Sequence, residues 1–450
     1  MIDDGSVRRR VVLAICCLSM FVVSLDSSIV NIALPQIGRQ LRAPGPGLSW
    51  VVDAYTLTLA ALLISSGSLA DRIGRRRCFR YGMAVFGAGS ILCSAAPNLP
   101  VLLIGRVIQG AGGSMLNPVA LAIIGSVFTD SRSRARALGT WGAVLGIAMA
   151  LGPITGGVLT AAVGWRSIFW INVPVCLAAL AAASRWVPES FGVRAAGRDI
   201  VGQLLVAGAM FLLVLTIIEA PRIGAGAWQT WILIAATALV AAVAVLRERR
   251  ATHPFIPPRY FAAVPFRLAN LSGMVASGGQ GILVFTVSVY LQDHLGLGVT
   301  DTGLRLVPIA VTTFVFSALS GRATGRFGAR PILAAGGLFV VAAAITLIAA
   351  GLGTTPVLVA AALFGAGFGT VNAPITSTAV AGMGTNRGAA GGVVSTSRQL
   401  GMSIGVAWAG VAVTTAQHSD LSWLGLLGCG LTLLASAILM PSSGGGAQRI

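Results

Sequence analysis

Of the 450 residues, 56% are hydrophobic and only 10% are charged, and the mean hydropathy is +0.87. A water-soluble chain of this length would form two or three domains with about a quarter of its residues charged, so the composition excludes that class. The formal net charge of +18 raises the question of a nucleic-acid partner, but the arginines fall in alternate connections between apolar runs, the distribution of cytoplasmic loops, and so no nucleic acid is expected.

The first apolar run follows Arg8, Arg9 and Arg10, which superficially fits a secretory leader. It continues through Asp26 to Leu34, too long for a signal core, and is read as the first span. The spans then follow at 11-34, 50-70, 79-97, 101-126, 137-160, 167-184, 200-219, 228-246, 266-291, 302-320, 331-351, 355-379, 389-415 and 421-440. Each is near the roughly 20 residues that cross a bilayer. An even count places both termini on one side. Arginine clusters occupy the N-terminus and the connections after spans 2, 4, 6, 8 and 10 (Arg72 to Arg80, Arg132 to Arg136, Arg185 to Arg198, Arg247 to Arg259, Arg322 to Arg330), whereas the opposite connections hold only Arg39, Arg42, Arg166 and Arg222. Both ends are therefore expected in the cytoplasm of a multi-pass inner-membrane protein. All 31 residues of the Lys and Arg class are Arg, which by codon usage points to a GC-rich bacterial genome.

The connection after span 2 reads Gly67-Ser68-Leu69-Ala70-Asp71-Arg72-Ile73-Gly74-Arg75-Arg76-Arg77, a short basic turn with one acid among its arginines. A weaker copy stands 254 positions later, from Gly321 to Arg330, with Gly325 where the first copy has Asp71. Two related halves in a membrane protein point to a transporter. The offset accommodates eight helices rather than six, so the expected fold is an all-α integral membrane protein of about fourteen transmembrane helices: a six-helix bundle over 1-185, a linker with two inserted helices over 186-255, and a second six-helix bundle with a short tail over 256-450. No soluble domain fits in the connections.

Charge inside a span costs roughly 2.5–3.5 kcal/mol on insertion scales and marks function or access to water. Asp26 sits within the first span, with Asn31 and Pro35 after it. A carboxylate removed from water favours its neutral form, which suits reversible protonation; otherwise Asp26 is a structural group bonded to a neighbouring helix. Asp53 is either a cation or proton site at an outer mouth or an interfacial residue beside Trp50. Arg106, followed by Gln109 and Gly110, needs a partner, and Asp26 is the candidate: the pair either couples protonation to helix contacts or fixes packing. Arg398 either snorkels to the cytoplasmic surface or belongs to a transport path. Span 5 carries Gly139, Gly142, Gly146, Gly152, Pro153, Gly156 and Gly157, a face that admits close packing with a proline bend. The six cysteines and three histidines show no metal-ligand spacing, and no nucleotide-binding loop is present.

Together these residues resemble the major facilitator superfamily, and within it the fourteen-span drug:proton antiporters. The stretch Gly67, Asp71, Arg72, Gly74, Arg75, Arg76 is similar to the superfamily signature between spans 2 and 3. Asp26 to Pro35 looks like the first-span motif of the fourteen-span group, and Arg106 to Gly110 like the span-4 motif whose arginine is implicated in proton coupling. Gly152-Pro153-Ile154-Thr155-Gly156-Gly157 is similar to the antiporter motif of span 5, with Ala148 where a further glycine is usual. The resemblance implies two bundles around a central cavity, lined in part by Asn31 and Gln109. It also implies export of a hydrophobic, often cationic compound, driven by the proton gradient without a cofactor, by a chain acting as a monomer. Asp26, Asp53 and Arg106 would carry proton coupling, and Asp71 would latch a cytoplasmic gate. A symporter or an exporter dedicated to one metabolite is the second reading, against which the span-5 motif argues. A membrane enzyme lacks any nucleophile and base pair to support it, and a sensor lacks an output domain.

Overall fold

The computed structural model describes residues 4–42, 45–192, 200–224, 226–250, 259–381, 387–416 and 420–441. The regular structure among them is helical. It runs α1 (Asp4–Leu41), α2 (Gly45–Ile73), α3 (Arg75–Ser94), α4 (Leu99–Ser114), α5 (Asn117–Val127), α6 (Ser131–Ala162), α7 (Ser167–Trp170), α8 (Asn172–Trp186), α9 (Ile200–Ile223), α10 (Trp228–Arg250), α11 (Arg259–Ala262), α12 (Val264–Val289), a π-helical turn (Tyr290–His294), α13 (Val299–Phe327), α14 (Ala329–Ala350), α15 (Thr354–Ala381), α16 (Arg387–Ala416) and α17 (Asp420–Leu439). Among the described residues, eleven segments are long and apolar enough to cross a membrane, three fewer than the fourteen read from the sequence. Helices α3, α6 and α16, of 20, 32 and 30 residues, occupy the other three places in the series.

Several helices are broken or relieved for identifiable reasons. The span Leu99–Val127 is two helices because Pro118, at the start of α5, cannot donate to the carbonyl one turn back. Pro374 lies inside α15 and likewise leaves the Thr370 carbonyl without its usual amide; the Ser320 hydroxyl of α13 donates there instead. Asn98 caps α4 through a 3.1 Å bond from the Val101 amide to its side-chain oxygen.

By internal contacts the chain forms two compact units. One comprises Met1–Phe128, Ile147–Arg198 and Thr385–Gly392, and the other Thr129–Gly146, Asp199–Gly384 and Val393–Ile450. Helix α6 thus contributes residues to each. In the second unit, α9 and α10 pair through a 2.8 Å hydrogen bond between the Thr216 and Thr237 hydroxyls. Only 17% of the apolar window of α10 is buried, against 72% for Leu99–Val127, and Trp228, Trp231, Leu239 and Leu246 are exposed. Such a surface is unstable in water and is the ordinary exterior of a helix in lipid.

The sequence repeat has a backbone counterpart. The basic connection is shorter than the expected turn: α2 runs to Ile73, α3 starts at Arg75, and Gly74 alone lies between them with φ 104°. In the second copy Gly328, 254 positions on, separates α13 from α14 with φ 86°. A positive φ is open to glycine and costly for other residues, so both halves reverse direction on one residue. The arginines expected in loops at Arg132 to Arg136 and at Arg322 and Arg326 lie on helical turns of α6 and α13.

Candidate functional site

The site in the first unit begins with glycine spacing. Gly82 and Gly89 on α3 and Gly105 and Gly112 on α4 are each seven residues apart, so each pair repeats on one helix face. A Cβ on Gly89 would lie 2.7 Å from the Gln109 amide nitrogen, and one on Gly105 would lie 2.6 Å from Cys93 Sγ. The two helices therefore meet backbone to backbone, which brings Gln109 against Ser90.

Asp26 of α1 enters this contact and is fully buried, as are Arg106 and Gln109. Arg106 Nη1 donates to Asp26 Oδ2 at 2.6 Å. Asp26 Oδ1 accepts from Gln109 Nε2 at 3.1 Å and from Asn172 Nδ2 of α8 at 2.8 Å. Gln109 Nε2 also donates to Ser90 Oγ at 2.8 Å, and Gln109 Oε1 accepts from Arg106 Nη1 at 2.9 Å. Arg106 Nε donates to the Val51 carbonyl of α2 at 2.8 Å, and its guanidinium carbon stands 4.3 Å from the centre of the Tyr55 ring. One acid thus ties α1 to α4 and α8, while one guanidinium ties α4 to α1 and α2. All three donors to Asp26 suit an ionised carboxylate.

The expected pair of Asp26 and Arg106 is thus brought into contact. Gln109, expected at a substrate cavity, lies instead inside the polar cluster with its amide engaged, a consequence of the close approach at Gly89. Asp53 is half-buried on α2, two residues beyond Val51, and none of the hydrogen bonds of Asp26 or Arg106 goes to it. The side chains of Asn31, Pro35 and Pro153 lie outside the described residues.

The span-5 glycines divide between the units. In the first, a Cβ on Gly152 would collide with the Ser28 hydroxyl of α1, two residues from Asp26. Gly156 is buried, whereas Gly157 has nothing within 4 Å of an added Cβ. In the second, a Cβ on Gly139 would lie 2.7 Å from the Ser317 carbonyl and one on Gly146 2.7 Å from the Ala310 carbonyl, both on α13.

At the basic connection Gly67 is buried and Arg72 half-buried. Asp71 accepts from Arg75 Nη2 at 2.8 Å and from its Nε at 3.0 Å, one helical turn on. A second acid, which no motif announces, completes the arrangement. Glu189, just beyond α8, accepts from the Arg76 amide at 3.0 Å and lies 3.6 Å from Arg76 Nε and 3.7 Å from Arg77 Nε. The Arg75 amide donates to the Ser190 carbonyl at 2.9 Å, and the Gly192 amide to the Asp71 carbonyl at 2.9 Å. The chain after α8 is thereby stitched to the α2–α3 turn. Asp130, before α6, accepts from the Ser133 amide at 2.8 Å, and this bond holds its carboxyl below the usual carboxylate range.

Reading the sequence missed Asn172, Ser90 and Glu189 as partners. Asn172 and Ser90 are ordinary polar residues in apolar runs, and only the packing of α3, α4 and α8 reveals their target.

A buried carboxylate–guanidinium pair thus lies inside helices long and apolar enough to span a membrane, beside a glycine-packed contact. Residues 16–406 match the family model described as Major Facilitator Superfamily, and the chain belongs to that superfamily. It is a multi-pass membrane protein and a secondary transporter, not an enzyme. It is 35% identical over 393 residues to the multidrug resistance protein Stp of Mycobacterium tuberculosis, covering 87% of this chain and 73% of that one. It is 33% identical over 457 residues to a methylenomycin A resistance protein of Bacillus subtilis (97% and 95% covered). To the tetracenomycin C resistance and export protein of Streptomyces glaucescens it is 35% identical over 414 residues (88% and 74% covered). Among solved structures, the human organic anion transporter MFSD10 superposes with a TM-score of 0.70 at 16% identity, covering 95% of this chain and 99% of that chain. The proton:xylose symporter XylE gives 0.70 at 15% identity, with 96% and 95% covered. At those identities the structural likeness speaks for the fold alone.

Proposed function

We propose that the chain exports a hydrophobic drug or antibiotic-like compound across the inner membrane by alternating access, in exchange for protons, with both termini in the cytoplasm. Six helices, an inserted pair (α9 and α10) and six more make the transport unit, acting as a monomer with no cofactor beyond the proton gradient. The observation that carries this reading is the buried pair of Asp26 and Arg106, in a chain whose relatives bear the names of resistance and export proteins.

Proton exchange at Asp26 gives the pair its use. Losing one charge of a buried ion pair costs roughly 3–5 kcal/mol. Protonation of Asp26 would leave Arg106 buried without a counter-charge, still held by the Val51 carbonyl, Gln109 and the Tyr55 ring. The tie between α1 and α4 would then be weakened to the neutral bond from Gln109, and the Ser28–Gly152 contact beside it would be easier to slide. Binding of the proton and of the exported compound would thus favour different arrangements of the same helices. The arrangement at Gly74, Asp71 and Glu189 would hold the cytoplasmic end of the first unit through this change. Narrow and broad substrate ranges are both compatible with the resemblance to single-antibiotic and multidrug resistance proteins.

Everted membrane vesicles carrying the protein test the reading. An imposed gradient, acid inside, should drive uptake of lipophilic dyes such as ethidium or phenylnaphthylamine, and a protonophore should collapse it. If no dye or antibiotic in a broad panel accumulates under the gradient, the efflux reading is wrong.

A further inference from the structure

We infer that a cleft among α12, α15 and α16 in the second unit is a subsite for an anionic group, a carboxylate or its equivalent, carried on an apolar substrate, with Arg398 as the counter-charge. The inference rests on the transporter reading above and narrows its substrate class.

The cleft is a tight groove, about 160 Å³ counting the space that opens to solvent and too narrow for a water molecule, so an anionic group reaches Arg398 only as the lining side chains give way. Phe368, Val371 and Ile375 of α15 form an apolar wall, and Ser277, Asn372 and Arg398 add the polar groups. Arg398 is fixed there by glycine contacts. A Cβ on Gly401 would collide with the Met274 carbonyl, and one on Gly405 with the Gly278 carbonyl, so α16 is pressed against α12 within a turn of Arg398. Arg398 Nη2 donates to Thr376 Oγ1 at 3.0 Å, and Thr376 in turn donates to the Asn372 carbonyl at 2.9 Å. The hydroxyl proton is thereby committed, and the hydroxyl oxygen can only accept.

Among the described residues this is the single hydrogen bond of Arg398, and the guanidinium has no ion pair. A guanidinium carries five N–H donors, so most of its capacity is unused. Arg106 offers the contrast within one chain: an arginine in a membrane helix with its carboxylate already supplied. Asn372, at the edge of the cleft, is 3% exposed; its Nδ2 packs against Gly142 of α6 and makes no hydrogen bond among the described residues. The cleft therefore presents the unpaired donors and the positive charge of Arg398 beside an apolar wall, which fits an acid with a hydrophobic body. This reverses the cationic substrate implied by the family resemblance: at this subsite, charge complementarity favours an anion.

Equilibrium dialysis of the purified full-length protein with tritiated naphthaleneacetate and with its neutral isostere naphthaleneacetamide tests the assignment. The wild type should bind the acid about tenfold more tightly than the amide, the scale of one charge-assisted hydrogen bond. Arg398→Gln should abolish that preference while amide binding persists, and Arg398→Lys should keep part of it. A wild type that binds the acid no better than the amide, or an Arg398→Gln variant that retains the preference, overturns the inference. Should Arg398→Gln lose both ligands, Thr376→Val decides, because it keeps the charge and removes the acceptor that orients it: a smaller preference supports the subsite and an unchanged one overturns it. Dialysis needs no gradient. Loss of the acid preference therefore leaves proton-driven dye export standing, whereas absence of export in vesicles sinks the efflux reading whatever the preference.

Discussion

Arg106 and Asp26, 80 positions apart in the chain, meet at 2.6 Å with both side chains wholly buried. The guanidinium's other bonds, to the Val51 carbonyl and Gln109, do not depend on the acid. The pair is therefore asymmetric: removing the charge of Asp26 leaves Arg106 anchored, whereas removing Arg106 leaves Asp26 buried with only neutral donors. Arg106→Gln should for that reason reduce the amount of folded protein in the membrane more than Asp26→Asn does, by several-fold on a blot against an unrelated membrane protein. Equal losses would argue against the asymmetry.

Gly152 packs on Ser28 beside Asp26, and Gly157 faces open space. Gly152→Val should abolish export, because overpacking at a tight contact costs about 1–3 kcal/mol and displaces a helix. Gly157→Ala should export at wild-type rates. Dye uptake into everted vesicles, normalised to protein amount, reads both; a silent Gly152→Val would remove this contact from the mechanism.

Gly74 turns the chain from α2 to α3 on one residue with φ 104°, and an added Cβ would lie 2.5 Å from Glu189 Oε1. Gly74→Ala should destabilise the detergent-solubilised protein by roughly 1–3 kcal/mol, seen as a lowered midpoint in thermal unfolding. Glu189→Gln should cost far less, at most about 1 kcal/mol, because its partners Arg76 and Arg77 are partly exposed. Asp71→Asn should slow the transport cycle while leaving dye binding largely intact; loss of binding without loss of rate would contradict a latch.

Asp130 offers a pH test outside the spans. Its carboxyl is held below the usual range by the Ser133 amide, so its pKa is lower folded than unfolded. The associated stability is present above the unfolded value of about 3.9 and is lost as pH falls through the folded one. The difference in unfolding midpoint between wild type and Asp130→Asn should therefore be constant from neutral pH down to about 4 and shrink below it. A difference that grows under acid would contradict the capping bond.

Much of this was legible in the sequence because membranes simplify the code. Apolar runs announced helices, and buried charge announced the cluster around Asp26 and Arg106, since such a charge is retained only with a partner. The repeat of Gly74 at Gly328 was visible as a motif before its backbone angle was known. What stayed hidden depends on which neutral polar side chain meets which charge. Ser90 and Glu189 carry no signal of their own, and Gln109, which the resemblance places at a cavity, has its side-chain amide engaged where α3 approaches at Gly89. Arg398 likewise looked free to snorkel; the Gly401 and Gly405 contacts with α12 and the bond to Thr376 hold it against α15 instead.

If Asp26 carries the exchanged proton, one comparison separates that role from packing. Purified wild type and Asp26→Asn are reconstituted in liposomes, and ethidium or phenylnaphthylamine movement is followed twice: as uphill uptake driven by a pH gradient, and as exchange of labelled for unlabelled dye with no gradient. Asp26→Asn should lose uphill uptake to the level of empty liposomes yet keep exchange. Uphill uptake equal to wild type in Asp26→Asn, or loss of exchange together with uptake in a correctly folded variant, would contradict it.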